Sequence, residues 1–129
     1  MMRSHTILCV DDEALGLQIR RAILELAGYR VLTALDGKAA LVLFEGNPID
    51  AVLLDYLMPE MNGGQVAAAM RRVKPEVPIL LHSACVDLPK ETIEIVDSTL
   101  SKGEGPETLL SRLKHLLEAS QLRGACHEL

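Results

Sequence analysis

The sequence predicts an α/β domain built on a doubly wound, open parallel sheet of five strands. Five short apolar clusters alternate along the chain with amphipathic helical patterns, which is the order of repeated βα units. Strands of such a sheet are covered by helices on both faces and therefore read as continuous apolar runs. The length of 129 residues fits a single domain that buries its own core.

The predicted elements follow one another in alternation. The strands are TILCV (6–10), YRVLTA (29–34), IDAVLLD (49–55), VPILLHS (77–83) and the weaker DSTLS (97–101). The helices are residues 13–28, 36–48, 63–75, the short 88–96 and 105–121. We predict that the sheet has the flavodoxin-like strand order 2-1-3-4-5.

The first helix is amphipathic and has a recognisable end. We expect its buried stripe to contain Leu17, Ala22, Ile23 and Leu26, with Gly28 at the C-terminal cap.

Breaker residues also bound the later helices. Gly46 and Pro48 stop the second helix, and Pro106 lies near the start of the last one. No repeat, low-complexity segment or internal linker interrupts the pattern. We therefore predict one domain over residues 1–122, followed by a short tail over residues 123–129.

Composition excludes several classes of protein. The formal net charge of -5 argues against a nucleic-acid surface, which needs a clustered basic face. We expect the pairs Arg20-Arg21 and Arg71-Arg72 to be solvated helix faces. No stretch approaches the roughly 20 apolar residues that span a bilayer, so no membrane association is expected. Three cysteines at wide spacing form no disulfide framework, which favours a reducing, cytoplasmic location.

Polar and charged residues stand where the apolar runs end. The first strand is followed by Asp11-Asp12, the third ends on Asp55, the fourth on Ser83, and Lys102 follows the fifth. In doubly wound sheets, ligands bind beyond the carboxyl ends of the strands. If strands one, three, four and five are neighbours, all of these side chains converge on one rim.

This combination of groups indicates phosphoryl chemistry. Three clustered carboxylates repel one another unless a cation compensates them, and an oxygen-only ligand set suits Mg²⁺. A carboxylate can act as a nucleophile and form an acyl phosphate, while a lysine holds a phosphoryl oxygen as a point charge. The charged end of the buried AVLLD run thus delivers Asp55 to a reaction site.

Over nearly its whole length the sequence resembles the receiver domain of response regulators in bacterial two-component signalling. The matching pieces are Asp11-Asp12 after ILCV, DYLMPEMNG around Asp55, ILLHSA around Ser83, and LSKG with Lys102. Each piece is common by itself, and the specific signal is their order at the ends of the strands.

The resemblance implies a role for each residue at the metal. Asp55 is the expected phosphoacceptor and a metal ligand. Asp12 would bind Mg²⁺ directly, Asp11 would hold the waters of the metal, and the backbone carbonyl of Leu57 would complete the protein's share of ligands. The alternative role for the acidic pair is capping of the first helix, and Asp12 could serve both purposes.

Ser83 and Lys102 are expected to contact the phosphoryl group. Ser83 would donate a hydrogen bond to it and move on activation, and Lys102 would pair first with the free carboxylate of Asp55. We expect His82 to be structural and to point away from the site.

Two departures from the family pattern, and two further positions, change what is expected. Thr99 replaces the aromatic residue usually found three positions before the lysine, so aromatic gating is not expected. Gly103 replaces a usual proline, which removes the favourable setting for a cis peptide bond. Leu57 and Cys85 occupy positions that influence water attack in the family, and their low polarity predicts a long-lived phosphorylated state.

The expected function is that of a receiver phosphorylated by a histidine kinase or a histidine phosphotransfer protein in an Mg²⁺-dependent reaction. It would catalyse only its own phosphorylation and dephosphorylation, and would signal to an unknown downstream protein. No output domain is expected within the sequence. Two alternatives are a pseudo-receiver that binds partners without phosphorylation and an Mg²⁺-dependent phosphatase. The second is disfavoured because CVDDEA lacks the Asp-x-Asp arrangement of such enzymes.

Overall fold

A computed structural model describes residues 4–84 and 87–128, with the side chains of residues 124–128 left out of the description. Five strands alternate with five helices, as predicted. The strands are β1 (Thr6–Val10), β2 (Arg30–Ala34), β3 (Ala51–Asp55), β4 (Ile79–Ser83) and β5 (Ser98–Ser101). The helices are α1 (Ala14–Leu26), α2 (Gly37–Gly46), α3 (Gly63–Val73), α4 (Lys90–Ile95) and α5 (Pro106–Glu128).

The strands form one sheet in the order β2-β1-β3-β4-β5, and all four pairings are parallel. The predicted fold class and strand order are therefore confirmed. The order reverses at β1, and the carboxyl ends of β1 and β3 lie on either side of the crevice where such sheets bind ligands.

Helices cover both faces of the sheet over two buried clusters. On one face, Val10, Leu54 and Leu81 pack with side chains of α2 and α3, including the fully buried Phe44 and Met70. The opposite face packs against α1 and α5 through a second set of buried residues, which includes Ile7, Cys9, Leu53, Leu80, Leu24 and Leu113. Residues two apart along one strand thus point into the same layer.

Helix α1 differs in detail from the prediction. It buries Leu17 and Leu24, and it leaves Leu26 90% exposed. The predicted stripe was wrong because Leu26, nine positions after Leu17, lies on the opposite side of a 3.6-residue helix. The C-terminal cap residue is Ala27, one position before the predicted Gly28. Gly28 follows it with a φ of +98° and donates its N–H to the Glu25 carbonyl, as a glycine after a helix end commonly does.

Helix α5 extends to Glu128, seven residues beyond its predicted end, so the predicted tail begins as a continuation of the helix. Among the described residues, no helix is long and apolar enough to span a membrane.

Arg71 corrects the expectation for one of the basic pairs. Its side chain is only 21% exposed and forms an ion pair with Asp97. The guanidinium also donates to the carbonyls of Ile95 (2.9 Å) and Val77 (2.7 Å), and Asp97 accepts the Ile79 N–H at 2.7 Å. Arg71 therefore ties α3 to the end of α4 and the starts of β4 and β5, rather than lying on a solvated face.

Candidate functional site

The carboxyl ends of four strands bring the predicted residues to one rim. Asp11 follows β1, Asp55 ends β3, Ser83 ends β4 and Lys102 follows β5. Asp11, Asp55 and Ser83 are buried, with 1%, 5% and 3% exposure, in a chain whose remaining buried groups are largely apolar. The topology therefore assembles the polar cluster that the strand ends predicted.

The connection from β3 to α3 fixes the backbone beside Asp55. A Cβ atom on Gly63 would lie 2.5 Å from the Asp55 carbonyl oxygen and 2.8 Å from the Tyr56 Cα, so only glycine fits there. The Gly63 N–H donates to the Tyr56 carbonyl at 2.8 Å. Asn62 and Gln65 form a reciprocal capping box at the start of α3. This NGGQ segment seats the helix directly against the end of β3.

Lys102 bridges two of the carboxylates. Its ammonium lies 2.8 Å from Asp11 Oδ2 and 3.2 Å from Asp55 Oδ1. The backbone N–H of Lys102 donates to the Ser83 carbonyl at 3.0 Å, which aligns the start of the following loop with the end of β4. The side chain is 27% exposed, so its charge is partly withdrawn from water.

Arg20 is a site residue that the sequence analysis missed. Its guanidinium is 13% exposed and forms a hydrogen-bonded ion pair with Asp11, so Arg20 does not belong to a solvated face as we expected. Its neighbour Arg21 does lie at the surface, where it pairs with Glu25 at 3.4 Å. The sequence did not indicate this contact, because the direction in which a long side chain such as Arg20 extends is decided only in the folded structure.

The surroundings at the rim shift the pKa values of the two buried carboxylates in opposite directions. Burial by itself would raise the pKa of Asp11, but hydrogen bonds from Lys102 and the Glu13 N–H, together with the charge of Arg20, hold that pKa below its usual range. Burial and repulsion from Asp11 raise the pKa of Asp55, and Lys102 offsets only part of this. Burial opposes the charge of Lys102, but its two carboxylate partners leave its pKa raised.

Three carboxylates could share a metal ion. Oxygens of Asp11, Asp12 and Asp55 all lie within 4.8 Å of one another, and Asp12 is the exposed member. A donor set made only of carboxylate oxygens fits a hard cation such as Mg²⁺.

Asp12 does not cap α1, contrary to our expectation. The N-cap residue is Glu13, whose side chain makes no capping bond, and the Glu13 N–H donates to Asp11 Oδ1 at 2.9 Å. This leaves the exposed Asp12 carboxylate facing the rim. Leu57, whose carbonyl is the fourth predicted ligand, follows in the loop after β3, and its side chain is 58% exposed.

His82 points toward the site rather than away from it. It is the register partner of Asp55 across β3 and β4, and paired residues of parallel strands project to the same face. His82 is 6% exposed. Among the buried side-chain nitrogen and oxygen atoms of the described residues, its Nδ1 alone lacks a hydrogen-bond partner. Burial, followed by the charges of Arg20 and Lys102, lowers the pKa of His82 to about 4.

Both departures lie within the described structure. Thr99 is exposed on β5. No peptide bond of the described residues is cis, as we expected at Gly103, whose N–H donates to the Ser101 hydroxyl at 3.1 Å. Cys85 lies outside the described residues, so its predicted effect on water attack stays a prediction.

The family comparison covers most of the chain. Residues 7–114 match the response regulator receiver domain. The chain is 36% identical over 126 residues to "Probable transcriptional regulator ycf27" of Cyanidium caldarium, which covers 95% of this chain and 50% of the relative. It is 34% identical over 115 residues to "Response regulator SaeR" of Staphylococcus aureus, covering 86% and 50% respectively. The chain thus spans about half the length of these curated relatives.

A solved structure agrees with the sequence comparison. The response regulator protein TrrA from Thermotoga maritima, in complex with Mg(2+)-BeF, superposes with a TM-score of 0.81 at 31% sequence identity. The match covers 87% of this chain and 98% of that one. The two chains therefore share the fold over most of their length.

Proposed function

The chain belongs to the response regulator receiver domain family, and we propose that it accepts a phosphoryl group on Asp55 from a histidine kinase or a histidine phosphotransfer protein. The observation that carries this proposal is the contact of Lys102 with both Asp11 and Asp55, at a rim where three carboxylates converge. This contact supports the proposal because a carboxylate that can act as a nucleophile, a cation that can hold phosphoryl oxygens and carboxylates that can bind a metal ion lie close together.

The proposed reaction is a displacement at phosphorus. A carboxylate oxygen of Asp55 forms a bond to the phosphorus of phosphohistidine as the P–N bond breaks, and the departing imidazole nitrogen keeps the electron pair. Asp55 is held for this attack because β3 is buried along its length and Gly63 fixes the adjoining loop.

The proposed direct metal ligands are the carboxylates of Asp12 and Asp55 and the carbonyl of Leu57, and Asp11 would hold the waters of the metal. Bound Mg²⁺ would supply electrostatic stabilisation of the charge on the transferring group. Lys102 holds a phosphoryl oxygen once Asp55 is modified, and Ser83, at the end of the neighbouring strand, donates a hydrogen bond to another. We propose that the chain catalyses only its own phosphorylation and dephosphorylation.

The output is proposed to be a protein–protein contact. With Thr99 exposed where the family usually carries an aromatic residue, a smaller rearrangement of α4, β5 and α5 would follow the movement of Ser83. The downstream protein is not identified by the chemistry of the site. The reaction is assigned to the cytoplasm, in keeping with the widely spaced cysteines.

The test is the intact mass of the protein after incubation with acetyl phosphate, with and without Mg²⁺, for the wild type and Asp55→Asn. We expect a gain of one phosphoryl group that requires both the metal and Asp55. No gain by a folded wild-type protein under any condition would overturn the proposal and favour a receiver fold that signals without phosphorylation. Turnover of a generic phosphate ester would favour a phosphatase instead.

A further inference from the structure

The Asp11 carboxylate already has partners at both oxygens. Oδ1 accepts the Glu13 N–H at 2.9 Å, and Oδ2 accepts from the Lys102 ammonium at 2.8 Å and from the Arg20 guanidinium. The carboxylate is 1% exposed, so these groups, rather than bulk water, supply most of its solvation. A carboxylate accepts about four hydrogen bonds, so a metal ion or its waters that approach Asp11 must share the carboxylate with these three donors.

The two cations have different relations to the site. Lys102 contacts both Asp11 and Asp55, so it lies close enough to hold a phosphoryl oxygen after Asp55 is modified. Arg20 reaches the rim from the second turn of α1 and forms its ion pair with Asp11. A guanidinium is always charged, so its attraction for the carboxylate persists over the whole physiological pH range.

The charge balance depends on Arg20. Three carboxylates face Lys102 and Arg20, which leaves a formal charge of -1 if all five groups are ionised. Without Arg20 the same cluster would carry -2, which a divalent cation would neutralise. Arg20 therefore lowers the electrostatic attraction of the rim for Mg²⁺ as well as occupying part of the Asp11 carboxylate.

We propose that Arg20 is a positioning residue that competes with Mg²⁺ for the Asp11 carboxylate and so weakens metal binding in the unphosphorylated protein. This inference rests on the proposed function, because it concerns the same metal site. The guanidinium acts as an internal counterion: it holds Asp11 in place while the metal is absent and leaves the carboxylate when the metal binds. Arg20 thereby sets the Mg²⁺ concentration at which the site becomes ready for reaction.

The test measures Mg²⁺ binding without any phosphodonor, from the chemical shift of the Tyr56 backbone amide next to Asp55. Arg20→Met and Arg20→Gln remove the charge, Arg20→Lys keeps it, and Arg21→Met is the matched control on the same helix. We expect the two neutral variants to bind Mg²⁺ roughly tenfold more tightly at low ionic strength, because the loss of a positive charge beside the site strengthens its attraction for a divalent cation. Arg20→Lys should partly restore the weaker binding of the wild type. Arg21→Met should change the affinity less than about twofold, because Arg21 lies at the surface, where water weakens the interactions of its charge, and is paired with Glu25.

A second readout is the Arg20 Nε–H resonance, which should shift when the wild type is saturated with Mg²⁺. If the neutral variant Arg20→Met is poorly folded, Arg20→Gln, which retains a polar side chain, carries the test. Unchanged affinity in a folded neutral variant, or an equal change in Arg21→Met, would overturn the inference while leaving the proposed function intact. A wild type that neither binds Mg²⁺ nor gains a phosphoryl group from acetyl phosphate would overturn both.

Discussion

The Lys102 ammonium lies 3.2 Å from the Asp55 carboxylate but only 2.8 Å from that of Asp11. One lysine thus compensates two buried acids unequally, and Arg20 adds its charge on the Asp11 side. The consequence is an Asp11 that stays ionised readily and an Asp55 whose charge is unfavourable in the folded protein. The predicted phosphoacceptor is therefore the least compensated buried acid of this group.

Asp55→Asn should stabilise the protein in the absence of Mg²⁺. Because the folded pKa of Asp55 is raised, its ionised form costs stability at neutral pH, and a neutral amide removes that cost. We expect a higher free energy of unfolding than that of the wild type at pH 7, measured by urea denaturation. The gain should vanish near pH 3, where both the folded and unfolded Asp55 are protonated. Asp12→Asn, at an exposed position, should change stability less; a loss of stability in Asp55→Asn would contradict the electrostatic argument.

Arg71→Met should destabilise the protein by about 2 kcal/mol, because it removes several hydrogen bonds to half-buried carbonyls and leaves Asp97 without its guanidinium. Arg72→Met is the matched control at the neighbouring, exposed position and should cost less than about 0.5 kcal/mol. Equal effects of the two substitutions in urea denaturation would show that the contacts of Arg71 add no stability.

Gly63→Ala should disturb the packing of the start of α3 against the end of β3. The added Cβ would lie 2.5 Å from the Asp55 carbonyl oxygen, so the backbone must shift, at a cost of about 2 kcal/mol in the free energy of unfolding. Gly46→Ala is the control, since a Cβ there meets nothing within 4 Å. We also expect Gly63→Ala to slow phosphorylation by acetyl phosphate, because Asp55 is displaced with its carbonyl. Wild-type stability and rate in Gly63→Ala would show that the loop tolerates a side chain.

His82 should give the protein an acid-sensitive stability. Its folded pKa of about 4 lies below the usual histidine value of 6.5, so the unfolded chain binds a proton that the folded chain refuses. The stability that comes from keeping His82 neutral is fully present above pH 6.5 and is lost as the pH falls from there toward 4. We expect His82→Leu to reduce the loss of unfolding free energy across this pH window by about 3 kcal/mol. His115→Gln, at an exposed position, should leave the slope unchanged; a wild-type slope in His82→Leu would assign the acid sensitivity to other groups.

Leu57→Asn should shorten the lifetime of the phosphorylated protein. The Leu57 side chain is 58% exposed in the loop that follows Asp55, and an amide there can orient a water toward the acyl phosphate. Phosphate loss after removal of acetyl phosphate, followed by intact mass, should be several-fold faster than in the wild type. Rapid loss from the wild type, with no acceleration in Leu57→Asn, would refute the predicted long-lived state.

Much of the fold followed from local patterns in the sequence. Apolar runs and helical periods located all ten elements, and the residues that end the runs predicted which side chains would meet at the rim. Asp55 illustrates why this works: a parallel strand carries its last residue to the same sheet edge as its neighbours, whatever the details of packing. Family resemblance then supplied a role for each of these residues, which the experiments above are designed to test.

The sequence by itself determined the layer architecture and the identity of the carboxylates at the strand ends, because those depend on periodicity and on where each apolar run stops. The strand order followed from the fold class, and not from any one segment. Tertiary structure alone decided where the long or ambiguous side chains go. Arg20 and Arg71 turned inward to buried partners, while Arg21 lies at the surface. His82 faces the site because of its register with Asp55, a relation between strands that no single segment specifies. Burial makes these choices favourable: a carboxylate or carbonyl withdrawn from water gains most from a nearby donor, and only the folded chain determines which donor can reach it.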